Sequence, residues 1–463
     1  VINGVLDIGG DILIVNGNSV VSDSIHIGTG RLDVNGPFDA TGANITFTDA
    51  GNLTLDSTVT SLGILSSDSG TVTYDGEDQY VFSDTYHQLI FDGLGKKILT
   101  GDVSVNNNLI VNPGDTCIVG TNTLTVEGLT DIDGTITINS GSIDANGIFD
   151  AIGGTITFNG AGNLYLDSTV TSLGTFSASY STVAYDGSDQ EVKEATYHHL
   201  NLAGYGDKEL SGDIGATGDI NINPGVDFDV SYINNYSINI EGDWTNNGTF
   251  NERNGLVTFD GNDIQHIYSV DSLSGSYKQQ DFYNLTINNT GATDTVVMGG
   301  DFDIKNNLTL ESGTIDLEEV DPSIQIKGNL TISDGVVWIK GNKPLIFNGS
   351  TQFSDTNLQV NNLGRVEVMD SLFIFTDMAV DNFFIPSTGT FGHTPSLALY
   401  NRGDLVVNEE GLFDSDSISI TFNGDTTQTI SGVNNFYSLY IKSCDSCVVE
   451  LSDTNDVIFV TNE

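Results

Sequence analysis

Basic residues are scarce in this sequence: 14 Lys and Arg stand against 63 Asp and Glu, a formal charge of −49. Simple electrostatics therefore argues against nucleic acid and anionic membrane surfaces as partners. Cysteine (3), methionine (3) and proline (7) are also rare, and no Pro-rich or Ser-rich stretch marks a linker between beads. No apolar run has the length of a membrane-spanning helix, so membrane insertion is not expected of these residues. The chain also lacks a Gly-x-Ser-x-Gly elbow, a phosphate-binding loop and a dinucleotide fingerprint. No window shows the 3.6-residue spacing of a long amphipathic helix.

Glycine is abundant, at 53 residues, and β-branched residues crowd short segments that alternate with period two. In Thr155-Ile156-Thr157-Phe158, Asn163-Leu164-Tyr165-Leu166 and Leu308-Thr309-Leu310, every second residue is apolar, which puts one face on a core and the other in water. Asx-Gly pairs punctuate the strands at Asp75-Gly76, Asp133-Gly134, Asp186-Gly187, Asn254-Gly255 and Asn348-Gly349. The chain reads as all-β.

It also repeats. Gly36 to Gly114 matches Gly147 to Gly225 at a constant offset of 111, with about half the positions identical. Val72, Tyr74-Asp75-Gly76, Gln79 and Thr85-Tyr86-His87 return as Val183, Tyr185-Asp186-Gly187, Gln190 and Thr196-Tyr197-His198. Weaker copies run from Val257-Thr258-Phe259-Asp260-Gly261 with Gln265, and from Ile420-Thr421-Phe422-Asn423-Gly424 with Gln428. The repeat units are therefore about 36–146, 147–257, 255–415 and 416–463, the last incomplete.

Two architectures fit this pattern. A string of β-sandwich modules would need about seven strands in each run of roughly 100 residues. A right-handed parallel β-helix needs only short rungs, each pairing with its neighbours, and tolerates decay of the long repeat. Strand pieces such as Asn108-Leu109-Ile110-Val111 and Gly328-Asn329-Leu330-Thr331-Ile332 recur with short turns, and the strand rhythm persists from about 301 to 415 after the repeat has faded. The expectation is one continuous solenoid over 1–463, with on the order of 20 rungs and a length of roughly 100 Å at the usual strand spacing.

The run Gly-Thr-Val-x-Tyr-Asp-Gly-x-x-Gln, then Thr-Tyr-His-x-Leu and Lys-x-Leu-x-Gly-Asp, occupies Thr71–Gln79, Thr85–Leu89 and Lys97–Asp102, and again Thr182–Gln190, Thr196–Leu200 and Lys208–Asp213. It resembles the repeats of large secreted β-helical surface proteins and adhesins found in Bacteroidota and archaea. The likeness is strong only over about 36–225; later copies lose the His and most of the Lys segment. It implies an extracellular, cell-surface location and a scaffold, with no catalytic residues to transfer.

The remaining candidates are few. Turn carboxylates such as Asp414 and Asp416, and Asp445, Asp453 and Asp456, are the places where Ca²⁺ would bind, although none follows an EF-hand or Gly-Gly-x-Gly-x-Asp loop. No other cofactor is expected. Cys444 and Cys447 have the spacing for a local disulfide, or stand as free thiols, with no second pair to complete a zinc site; Cys117 reads as a small buried residue. His87, His198 and His199 sit at a repeated strand start and read as scaffold. Asn44, Asn52, Asn235, Asn247, Asn284, Asn288, Asn307, Asn329 and Asn348 stand in Asn-x-Ser/Thr, a pattern that Asn/Thr-rich strands also produce by chance.

The sequence reading is thus a non-enzymatic structural subunit of a cell-surface fibre, sheath or adhesin stalk, self-associating through strand stacking and lateral or end-to-end contacts. The expectation of end contacts comes from the termini, since Val1 enters partway through a unit and neither end resembles a polar cap. A carbohydrate-binding or carbohydrate-cleaving β-helix is the alternative, and would show an aromatic-lined groove with converging carboxylates. An ice-binding solenoid needs a Thr-x-Thr ladder on rung after rung, which pieces such as Thr71-Val72-Thr73 do not supply.

Overall fold

A strand whose alternate residues are apolar can bury one face only if another layer covers it, and this chain covers it by winding. In the computed structural model, which describes residues 1–269, 276–291, 294–386, 388–433, 435–442, 448–451 and 459–460, the described residues contain strands and no helix. Nearly every strand pairs in parallel with the strand three places along the chain, so a turn gives one strand to each of three faces; around Leu345–Val368 and Ser350–Ile374 the step is two. This is a parallel β-solenoid of about 22 turns, and the sandwich alternative is set aside because sandwich sheets are antiparallel.

The turns fall into two compact units, one formed by Val1–Gly215 with Ile222–Phe228 and the other by Ala216–Asn221 with Asp229–Glu463. In the first, the register aligns apolar residues into continuous columns: Leu32, Leu53, Val72, Leu89 and Leu109 stack in one, and Val34, Leu55, Tyr74, Phe91 and Val111 in the next. All ten are buried. In the second unit Phe302, Ile324, Leu345, Val366, Phe383 and Leu405 form an equivalent column. Each buried Leu, Val or Phe removes apolar area from water worth about 1.5–3 kcal/mol. The period-two pattern of the sequence is thus the direct cause of the core.

Turn residues couple the rungs. Asp78, Asp102, Asn108, Asn307, Asp377 and Asp404 each point a side-chain oxygen at a backbone N–H of the next rung, on Lys96, Thr123, Leu129, Asn329, Ala398 and Thr429 respectively, at 2.8–3.0 Å. These bonds satisfy the N–H groups that the turns would otherwise leave open. They also explain why Asx residues are so frequent.

Candidate functional site

The residues that the repeat preserves converge on the interior. Strand Gln79–Val81 begins with a glutamine that is buried and fully bonded: Nε2 donates to the carbonyls of Leu55 (2.7 Å) and Ser57 (2.8 Å), and Oε1 accepts the N–H of Gly76 (2.8 Å). Gln190 makes the same three bonds to Leu166, Ser168 and Gly187. Gln265 bonds Ile240, Gly242 and Gly261, and Gln428 bonds Asn401, Gly403 and Gly424. One amide staples a turn to the rung before it in all four copies. The adjoining glycine is fixed by space, since a Cβ on Gly76, Gly187, Gly261 or Gly424 would come within 2.4 Å of the carbonyl oxygen of Asp56, Asp167, Glu241 or Arg402.

A tyrosine pair closes the next turn. The hydroxyls of Tyr74 and Tyr86 lie 3.1 Å apart; Tyr86 donates to the Phe82 carbonyl at 2.9 Å, and Tyr74 accepts the Phe82 N–H at 3.4 Å. Tyr185 and Tyr197 do the same around Lys193. Because the bonds go to main chain, Phe82 and Lys193 exchange without loss. Burial pushes the Tyr74 and Tyr185 phenols up to about 12, so both stay neutral donors.

The lysine of the Lys-x-Leu segment is wholly buried in both copies. Lys97 donates to the carbonyls of Gly76 (2.7 Å) and Glu77 (3.1 Å) and pairs with buried Asp115 at 2.8 Å. Lys208 meets the carbonyls of Gly187, Ser188 and Tyr205, while Val226 stands at the repeat position of Asp115. Burial then draws the Lys208 pKa below the usual lysine value, with Asp189, Asp186 and Asp207 opposing.

Outside the core, one column of turn residues changes charge from copy to copy. The residue after each strand donates its N–H to the rung before: Asp56 to Val34, Asp75 to Leu55 and Asp92 to Tyr74, at 2.9–3.0 Å. These carboxylates stack beside a groove of about 230 Å³ lined by Arg31, Asn52, Thr54 and Thr73. Burial raises the pKa of Asp56 and Asp75, their carboxylate neighbours add to it, and Arg31 opposes. In the second copy, burial and the hydrogen bond shared with Asp167 push Asp186 up to about 7.

The fourth copy reverses the sign. Phe422-Asn423-Gly424 occupies the place of Tyr74-Asp75-Gly76, and here the column reads Arg402, Asn423, Lys442, with N–H groups donated to Val380, Asn401 and Phe422 at 2.9–3.1 Å. Beside it lies a cavity of about 350 Å³ whose walls include Tyr400, Gln359, Asn362 and Asp377. A separate open apolar groove runs along Phe373, Leu412 and Phe413, where a Cβ on Gly392 would meet the Phe373 ring at 3.0 Å.

The predicted site residues are scattered by comparison. Asn44 and Asn348 are exposed; Asn52, Asn235, Asn247, Asn284, Asn288, Asn307 and Asn329 are half-buried. Several act as couplers: Asn235 accepts the Asn254 N–H (3.0 Å), Asn284 the Asn306 amide (2.9 Å), Asn288 the Ser312 hydroxyl (2.8 Å) and Asn329 the Gln352 N–H (3.2 Å). Asp414 accepts the Asp416 N–H at 3.0 Å in an exposed turn. Asp445, Asp453, Asp456, Cys444 and Cys447 lie outside the described residues. Among the described residues, no group of three or more His, Cys, Asp or Glu is placed to hold a metal ion. Cys117 is a buried free thiol whose pKa burial pushes up to about 12. His198 contacts the rings of Tyr180 and His199 at 5.4 and 4.2 Å, and the His87 carbonyl takes the Asn107 N–H.

The roles of Gln79, Lys97 and the Arg402 column were not read from sequence. Recurrence of the Gln and Lys at fixed repeat positions was the available signal for the first two. Comparison with protein-family models, with curated proteins and with solved structures returns no match for this chain.

Proposed function

We propose that this chain is a structural subunit of an extracellular cell-surface fibre, sheath or adhesin stalk, acting as scaffold and not as an enzyme. The observation that carries the reading is where the repeated side chains go. Gln79, Tyr74, Tyr86 and Lys97, and their counterparts Gln190, Tyr185, Tyr197 and Lys208, spend their polar atoms on backbone groups of their own and adjoining turns. A repeat kept for reactivity would turn such groups toward solvent. The β-helical surface-repeat resemblance of residues 36–225 and the acid-rich, soluble surface support the same reading. In this role the solenoid needs no cofactor, and Ca²⁺ would serve to bridge repelling carboxylates.

Association between subunits would use strand stacking or lateral contacts. Sedimentation of the intact native protein over a hundredfold range of concentration tests this. Growth into larger species is expected, and a monomer that stays monodisperse throughout contradicts it.

A further inference from the structure

We propose that the cavity beside Tyr400, Arg402, Asn423 and Lys442 is a binding site for a carboxylate-bearing sugar of the hexuronate class. The charge of its edge is the first reason. Arg402 and Lys442 make no side-chain hydrogen bond or ion pair among the described residues, in a chain where acids outnumber bases 63 to 14. One carboxylate stands in the wall, Asp377, which accepts the Ala398 N–H at 2.8 Å; Asp381, outside the wall, holds Lys340 and the Asn362 amide. Lys340 lies near enough to Arg402 for that charge, after burial, to lower its own pKa. Arg402 and Lys442 therefore line the cavity as two cations, neither with a carboxylate partner among the described residues.

The walls supply the second reason. An arginine fork fits a planar carboxylate through two parallel bonds, and a lysine ammonium adds a point charge. Tyr400 offers an aromatic wall, and Gln359 and Asn423 offer amide donors and acceptors suited to ring hydroxyls. The volume, about 350 Å³, lies within the range of small-ligand sites. The distant negative charge of the chain does not forbid an anion here, since at physiological salt it is screened beyond about 8 Å.

The repeat supplies the third. At the equivalent place in the first copy the same column carries Asp56, Asp75 and Asp92, and Thr54 stands where Tyr400 does. The scaffold makes the groove, and the fourth copy alone among these two fills it with cations and an aromatic ring. This deepens the glycan-contact alternative and is independent of self-association.

Calorimetric titration of the intact chain at physiological salt, with tetragalacturonate, with a neutral glucose tetrasaccharide and with inorganic phosphate, tests the assignment. Saturable binding of the uronate alone is expected, weakened at least tenfold by Arg402→Gln, less by Lys442→Gln, and weakened again by raised salt. Tyr400→Ala should lose affinity without losing the salt dependence. Sedimentation on the same samples separates sugar binding from assembly, and far-ultraviolet circular dichroism confirms that each variant is folded. No uronate binding, equal binding of the neutral sugar, equal competition by phosphate, or full affinity in folded Arg402→Gln would each overturn the proposal. So would loss of self-association in Arg402→Gln with no sugar bound by the parent chain, which would assign the cations to an acidic face of a second copy.

Discussion

The first and second copies bury the same lysine and neutralise it differently. Lys97 has Asp115, whereas Lys208, with Val226 at the repeat position of that aspartate, takes a third carbonyl, that of Tyr205. The turn before it changes in step: the left-handed conformation falls on Gly93 and Leu94 in the first copy and on Gly204 and Gly206 in the second. Yet the lysine, the stapling glutamine and the tyrosine pair keep their backbone bonds in both. What the repeat holds constant is the satisfaction of buried main-chain groups, and the counter-ion is one of several ways to complete it.

That comparison makes the same substitution unequal in the two copies. Lys97→Met leaves Asp115 buried without a partner and should cost about 3–5 kcal/mol in urea unfolding. Lys208→Met leaves only carbonyls short of a donor and should cost about 1–3 kcal/mol. Equal losses would show that Asp115 contributes nothing particular. Between these, Gln79→Leu and Gln190→Leu should each cost about 2–4 kcal/mol, since each strands the Ser57 or Ser168 carbonyl and the Gly76 or Gly187 N–H, while the Leu55 or Leu166 carbonyl keeps the N–H of Asp75 or Asp186. Here the two copies should agree, and a large difference would mean that the staple is not equivalent.

The smallest effect concerns protons. Burial and the hydrogen bond shared with Asp167 push Asp186 up to about 7 against 3.8 as its ordinary value, so between these the folded state holds a proton that the unfolded state has released. Stability should therefore rise as pH falls through 7 and level off below 4. Asp186→Asn should flatten that slope in thermal unfolding followed from pH 8 to 5. Asp75→Asn, where Arg31 opposes the shift, should flatten it less, and the reverse order would refute the assignment.

How far the sequence spoke depended on whether the relevant spacing was local. Alternation in Thr155-Ile156-Thr157-Phe158 is a nearest-neighbour property, and it appears as a strand whose Ile156 and Phe158 are buried. The preference for stacked rungs over sandwiches came from the same short-range rhythm, and the parallel pairing agrees with it. The grooves were not legible, because Arg402, Asn423 and Lys442 meet only through a register that links residues one turn apart, and turn lengths vary along the chain. An Asn-x-Ser/Thr motif is a local pattern, whereas Asn284, Asn307 and Asn329 work as couplers between rungs that are a turn apart in sequence. Buried Lys97 ran against composition, since lysine is the residue least expected inside.

If the repeat serves architecture, electron microscopy of the intact native material shows it most directly. A regular fibre or lattice, built from stacked or laterally packed solenoids, is the predicted image. Dispersed single particles with no regular contacts, at native concentration and ionic strength, would contradict it.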